Sequence, residues 1–253
     1  MLPTGEVVVA DTDQNRLFRM TTPGDTPTRL PSPGQGTVAW TALSAAPGLA
    51  FYALDGPGRL VQQYDFQGNY LGVALDLELL ARDQRLGPVE PAGLAVDRSG
   101  HALVTDRLGD RLLVFGPGWS FLGVWGQSGA DPGSWRRPGA VAVGARGPFL
   151  VADEGNHRVV LLDALGSVIA IRELSETPRG VAVLAPDRFA VSFGQVIEVM
   201  DGALDPMETH TLPALENCDD MPFVTPALAG SRDLLLAGEG CTGRLLQVRN
   251  PGG

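Results

Sequence analysis

The chain has 253 residues, with 29 acidic against 19 basic side chains and a net charge of −10 at neutral pH. That balance opposes non-specific binding to phosphate backbones, and the chain has no apolar run long enough to cross a bilayer as a helix. Every one of the 19 basic residues is Arg, so Schiff-base chemistry through a lysine is excluded.

Short apolar runs separated by turn residues follow one another along the whole chain. Glu6 to Leu30 contains EVVVAD, NRLFRM and PTRL, three runs of strand length. Thr37 to Asp76 contains four: VAWTAL, LAFYALD, GRLVQQYD and YLGVALD. Leu75 to Leu86, LDLELLARDQRL, lacks Gly and Pro and repeats Leu near helical spacing, so it reads as a short amphipathic helix packed on the rim. Pro91 to Trp125 and Pro138 to Ile171 are the clearest units and match each other almost residue for residue, with Val-Thr-Asp106 falling where Val-Ala-Asp153 falls. Between them lies the long loop Gly126 to Pro138, whose Trp135 is placed to plug a gap between units. Trp119, at a turn tip, is expected to mark a contact surface. Gly180 to Leu212 gives four more runs, and Thr225 to Asn250 gives TPALAG, DLLLAGE and GRLLQVRN.

Runs of this length, rich in β-branched residues and broken by Gly, Asn or Asp, predict four antiparallel strands, A to D, joined by tight turns. A lone unit of this kind cannot bury both faces of its sheet, so units must stack. Units are expected at about 5–31, 35–76, 91–126, 138–174, 178–212 and 223–250. The residues closing strand B (Asp11, Asp55, Asp106, Asp153, Phe193 and Glu239) are separated by 44, 51, 47, 40 and 46 positions. Such steps fit the blades of a β-propeller. The expected fold is all-β, one six-bladed β-propeller domain over 1–253, with incomplete blades at the two ends. The first unit lacks a strand A and the last a strand D, which is where the ring would close; a chain that naturally begins further upstream would explain both this gap and the lack of an export signal.

The pattern Pro-x-Gly-(Leu/Val)-Ala-Val, then an apolar strand ending in Asp, then (Gly/Gln)-(Asn/Asp)-x-Arg, resembles the NHL repeat. It is carried best by GNHR at Gly155 to Arg158, LGDR at Leu108 to Arg111 and QNR at Gln14 to Arg16. The Gly126 to Pro138 loop resembles the Gly-rich inter-blade loop of bacterial six-bladed propellers. The resemblance implies architecture and is nearly silent on activity. Amidating lyases with NHL-like blades use a His-bound zinc, but His101, His157 and His210 map to different turns and an outer strand and cannot converge on one ion. Gluconolactonase-like propellers want an Asn just before strand A, where this chain has Ala92 and Gly139. RNA-binding members need a basic face, and Arg136, Arg137 and Arg146 are the only dense basic cluster.

On the blade map, Asp11, Asp55, Asp106, Asp153 and Glu239 gather near the mouth of the central channel. They could hold a divalent cation or a polar ligand, or serve only as acceptors for the turns that follow. Arg107, Asn156, His157 and Arg179 join them on the expected ligand or partner face. No residue is assigned a catalytic role, no Gly-x-Ser-x-Gly elbow is present, and a cation at the channel mouth is the one cofactor left open. Cys218 and Cys241 fall in loops on one face; a disulfide between them would point to the periplasm or the cell exterior, against the alternative of two free thiols. The function expected is a non-catalytic binding or scaffolding module for a protein or polar ligand. The alternatives are a metal-dependent hydrolase or lyase using the acids at the mouth, and a fixed subunit of a larger complex.

Overall fold

In a computed structural model, residues 7–11, 14–20, 26–33, 38–45, 50–65, 67–144 and 147–211 are described, together with the backbone of 234–238 and 245–249. The first sheet orders β1 (Val7–Asp11), β2 (Arg16–Met20) and β3 (Thr28–Arg29). Four four-stranded meanders follow. The second sheet is β4 (Trp40–Ala45), β5 (Ala50–Asp55), β6 (Leu60–Asp65) and β7 (Tyr70–Asp76). The third is β8 (Pro91–Val96), β9 (Ala102–Asp106), β10 (Arg111–Gly116) and β11 (Ser120–Trp125). The fourth is β12 (Pro138–Val143), β13 (Phe149–Asp153), β14 (Arg158–Leu162) and β15 (Val168–Glu173). The fifth is β16 (Pro178–Ala185), β17 (Arg188–Phe193), β18 (Val196–Met200) and β19 (Pro206–Thr211). Their first strands pack side by side in sequence, β4 on β8, β8 on β12 and β12 on β16, as the inner strands of propeller blades do.

The expected count of six blades is not reached. Five blades are formed among the described residues, and the unit at 223–250 contributes only a two-stranded ladder of β20 (Leu234–Gly238) and β21 (Leu245–Arg249). The segment 225–230, expected as the first strand of that unit, lies outside the described residues, as do Glu239, Cys218, Cys241, Arg146 and Arg244.

Alternation within each central strand shows why the blades must stack. On β10, Leu113 and Phe115 join the core shared with the second blade, whereas Leu112 and Val114 join the core shared with the fourth. On β13, Phe149 and Val151 face the third blade while Leu150 and Ala152 face the fifth. Each such Leu or Phe contributes about 1.5–3 kcal/mol on leaving water. The helix α1 (Leu77–Asp83) forms within the stretch expected to be helical; the Asp76 carboxylate accepts from the Leu79 N–H at 2.9 Å, and Leu77 and Ala81 are buried. Trp135 is 1 % exposed in the core between the third and fourth blades. Trp119 departs from expectation: it packs edge-on against Tyr52 at 4.9 Å and Phe115 at 5.7 Å, so its ring is spent on the rim core rather than offered as a contact surface.

Two devices recur. Three turns on the face opposite the B-to-C turns begin with an Asp whose Oδ1 accepts two backbone N–H groups: Asp97 from Ser99 and His101, Asp163 from Leu165 and Ser167, Asp201 from Ala203 and Asp205. The second device lies on the outer strands of the four complete blades, each of which carries an unpaired extra residue near its start, Leu71, Leu122, Ile169 or Met207, with Ala74 a second on β7. The first four are large, apolar and more than half exposed.

Candidate functional site at the channel mouth

Strand B of each blade runs toward the face that bears the B-to-C turns and the linkers between blades. The acids closing it are turned into the protein. Asp106 and Asp153 are 0 % exposed and Asp55 is 3 % exposed. Asp55 Oδ1 accepts from the Ala39 and Gly58 N–H groups, both at 3.1 Å. Asp106 Oδ1 accepts from the Glu90 and Gly109 N–H groups at 2.9 and 3.2 Å, and its Oδ2 accepts from Arg111 Nε at 2.8 Å. Asp153 Oδ1 accepts from the Arg136 N–H at 2.8 Å, while Oδ2 accepts from Asn156 Nδ2 and Arg158 Nε, both at 2.8 Å. Each carboxylate thus clasps the linker entering its own blade and the turn leaving strand B, and in the third and fourth blades also the first residue of strand C. Asp11 holds its own turn more openly, accepting from the Gln14 N–H at 3.0 Å.

Arg158 extends the clasp. Beyond Asp153 it donates to the carbonyls of Ala130, Asp131 and Ser134, and so fixes the path of the long loop before β12. A buried cation that saturates four acceptors explains how a Gly-rich loop keeps one shape. Asn156 holds the same loop through the Gly129 carbonyl at 2.9 Å. His157 is exposed at φ 53, its carbonyl accepting from the Leu174 N–H at 2.8 Å. His101, His157 and His210 stand in an A-to-B turn, a B-to-C turn and the outer strand β19. Among the described residues, no three His, Cys, Asp or Glu side chains gather where they could hold one metal ion.

Two other positions stand at the same end of strands A and B. Every complete blade has an extra residue near the start of strand A, unpaired against strand B: Thr41, Ala92, Gly139 and Arg179. Directly after strand B come Gly56, Arg107, Glu154 and Gly194. The two positions meet: a methyl group on Gly56 would run into the Thr41 side chain, and one on Gly139 into the Glu154 carboxylate. In each blade one member of the pair is Gly or Ala, and the other is polar. The result is one polar side chain per blade, in the order Thr41, Arg107, Glu154, Arg179. Arg107 and Arg179 were expected on this face; Thr41 and Glu154 were not. The sequence signal that finds them is the pairing of two columns, the residue after the first proline or tryptophan of strand A and the residue after the strand B acid.

Between the third and fourth blades, Arg107 Nη2 donates to both Glu154 oxygens, at 3.0 and 3.1 Å. Beneath them Thr105 Oγ1 accepts from the Gly93 N–H and donates to the Gly139 carbonyl, both at 2.7 Å, stitching the two inner strands together. Ser192 holds the corresponding place in the fifth blade, where its buried hydroxyl has no partner among the described residues.

No protein-family model matches the chain, and no curated protein matches it. Solved structures with similar folds include virginiamycin B lyase from Staphylococcus aureus, a catalytically inactive histidine-to-alanine variant with quinupristin, at TM-score 0.63 and 11 % identity over 98 % of this chain and 81 % of that one. A second is a chain of the nidogen/laminin complex, at TM-score 0.65 and 17 % identity over 83 % of this chain and 77 % of that one. A third is a protein of unknown function from Bacteroides caccae, at TM-score 0.62 and 13 % identity over 97 % of this chain and 93 % of that one. At these identities the likeness is one of fold, and the chain is a β-propeller of four-stranded antiparallel blades.

Proposed function

We propose that this propeller is a non-catalytic binding or scaffolding module that presents its B-to-C turns and inter-blade linkers to a protein or another polar ligand. One observation carries the reading: Asp55, Asp106 and Asp153, the described acids best placed to serve a cation at the mouth, face inward and spend their oxygens on backbone N–H, arginine and asparagine donors. A rigid loop pinned by Arg158 suits recognition, which gains from preorganisation. In this reading the blades are NHL-type, a reading supported by the Asp–Arg pairs Asp106–Arg111 and Asp153–Arg158, and a sixth blade completes the ring. The site of action is the periplasm or the cell exterior, where Cys218 and Cys241 would be bonded.

Elemental analysis of protein purified without chelator tests the central claim. The expected result is no stoichiometric divalent ion and no change in unfolding temperature on adding calcium, magnesium or zinc. A stoichiometric ion, lost in Asp11→Asn or Glu154→Gln, would overturn it in favour of a metal-dependent hydrolase or lyase.

A further inference from the structure

Arg136 and Arg137 end the long loop before β12, and their backbone is tied to two different blades. The Arg136 N–H donates to Asp153 Oδ1 and its carbonyl accepts from the Gly155 N–H, both at 2.8 Å, which fixes it to the B-to-C turn of the fourth blade. The Arg137 N–H donates to Asp110 Oδ1 at 2.7 Å, on the B-to-C turn of the third. The other Asp110 oxygen accepts from Ser128 Oγ at 2.7 Å, so one carboxylate holds the loop near both its ends. Between these anchors Arg137 adopts φ +49, directly before Pro138. An L side chain is disfavoured there, where glycine is not. The two side chains do nothing inside the fold to offset that. Both are exposed, and among the described residues neither guanidinium forms an ion pair or a hydrogen bond. Arg59, Arg111 and Arg158, by contrast, each donate to a carbonyl of a neighbouring linker.

A clamped backbone, a left-handed arginine where glycine would fit, and two adjacent like charges without partners are not what stability alone selects. We infer that Arg136 and Arg137 dock an acidic segment of a partner protein on the B-to-C face. The Arg136 stem lies over Gly155, in the same turn as the exposed His157. Leu108, 58 % exposed, stands in the same turn as Asp110, which holds Arg137. A matching segment therefore brings carboxylates to the two guanidinium forks and an apolar side chain to Leu108. Because the backbone is already fixed, little of it remains to be ordered on docking. The net charge of −10 opposes a long polyanion more than a segment with a few acids, so the partner is a protein rather than a nucleic acid.

This inference rests on the proposal that the B-to-C face is a binding face, and elemental analysis decides that reading separately. The test follows the Nε–Hε signals of Arg136 and Arg137 by nitrogen-15 NMR during titration with three probes: a short blocked peptide of Asp, Glu and Leu, the same peptide with Asn and Gln for its acids, and inorganic polyphosphate. Saturable shifts at both arginines are expected with the acidic peptide, and they should shrink as salt is raised. Arg137→Gly removes one guanidinium and suits the left-handed backbone, so it should raise the unfolding temperature while weakening peptide binding about fivefold. Arg136→Gln should weaken binding to a similar degree. Arg98→Gln, in the Asp97 turn on the opposite face, should leave it unchanged. The inference is overturned if the acidic peptide gives no saturable shift, if the amide peptide or polyphosphate binds as tightly, or if Arg137→Gly binds like the unaltered chain. Failure here with no stoichiometric metal leaves the binding reading standing and removes only the acidic partner.

Discussion

Arg158 Nε donates to Asp153 Oδ2 at 2.8 Å, with the arginine side chain 5 % exposed and the aspartate 0 %. Removing one partner leaves the other charge buried and uncompensated, so Asp153→Ala is expected to cost about 3–5 kcal/mol. Arg158→Ala should cost a similar amount and also release the loop through Ala130, Asp131 and Ser134. Urea unfolding of both single variants and the double variant checks this. The double loss should fall well short of the sum of the two.

Thr105 and Ser192 occupy equivalent places with opposite fates. Thr105→Val keeps the shape but leaves the Gly93 N–H and Gly139 carbonyl without partners, at a cost of about 1–3 kcal/mol. Ser192→Ala removes a buried hydroxyl that has no partner among the described residues, so its stability should stay level or rise. Paired denaturation curves would expose the contrast, and a large loss in Ser192→Ala would contradict the assigned geometry.

Gly126 sits at φ +84 with the Trp135 indole filling the place a Cβ would take. Gly126→Ala therefore meets both a left-handed backbone and a filled space, and about 1–3 kcal/mol of destabilisation is expected. Trp135 fluorescence should shift toward the exposed value at lower denaturant than in the unaltered chain.

The Asp163 carboxyl is held below the ordinary aspartate range, chiefly by the Ser167 N–H and also by the Leu165 N–H, against a smaller opposing effect of burial. A carboxyl depressed in the folded state adds stability above its unfolded pKa, and that contribution fades as pH falls through the folded value. A carbon-13 titration should place its midpoint below that of a free aspartate. Asp163→Asn should flatten the acid limb of the stability profile, because the amide no longer titrates.

Much of the blade was legible in the residues. Two-residue alternation with Gly, Asn or Asp at the breaks located β8 to β19, because a strand buried on both faces leaves a long apolar run that little else produces. The Asp106–Arg111 and Asp153–Arg158 pairs were readable too, since a five-residue spacing across a tight turn places them as direct neighbours. The mouth was not. Its ring depends on one extra residue near the start of each strand A, and periodicity reports that a strand exists without reporting where its ladder slips. Thr41 and Gly56, or Gly139 and Glu154, lie 15 positions apart and become partners only after the strands pair. Acidic residues in register, by contrast, attracted attention that the folded backbone redirects inward.

The outer strands carry a consequence for crowding. Leu71, Leu122, Ile169 and Met207 each throw their strand out of step with its neighbour, so an incoming chain could match only a few rungs of β7, β11, β15 or β19 before its hydrogen bonds fell out of alignment. Greasy side chains on the circumference can therefore coexist with a protein that resists being zipped, edge by edge, into fibres.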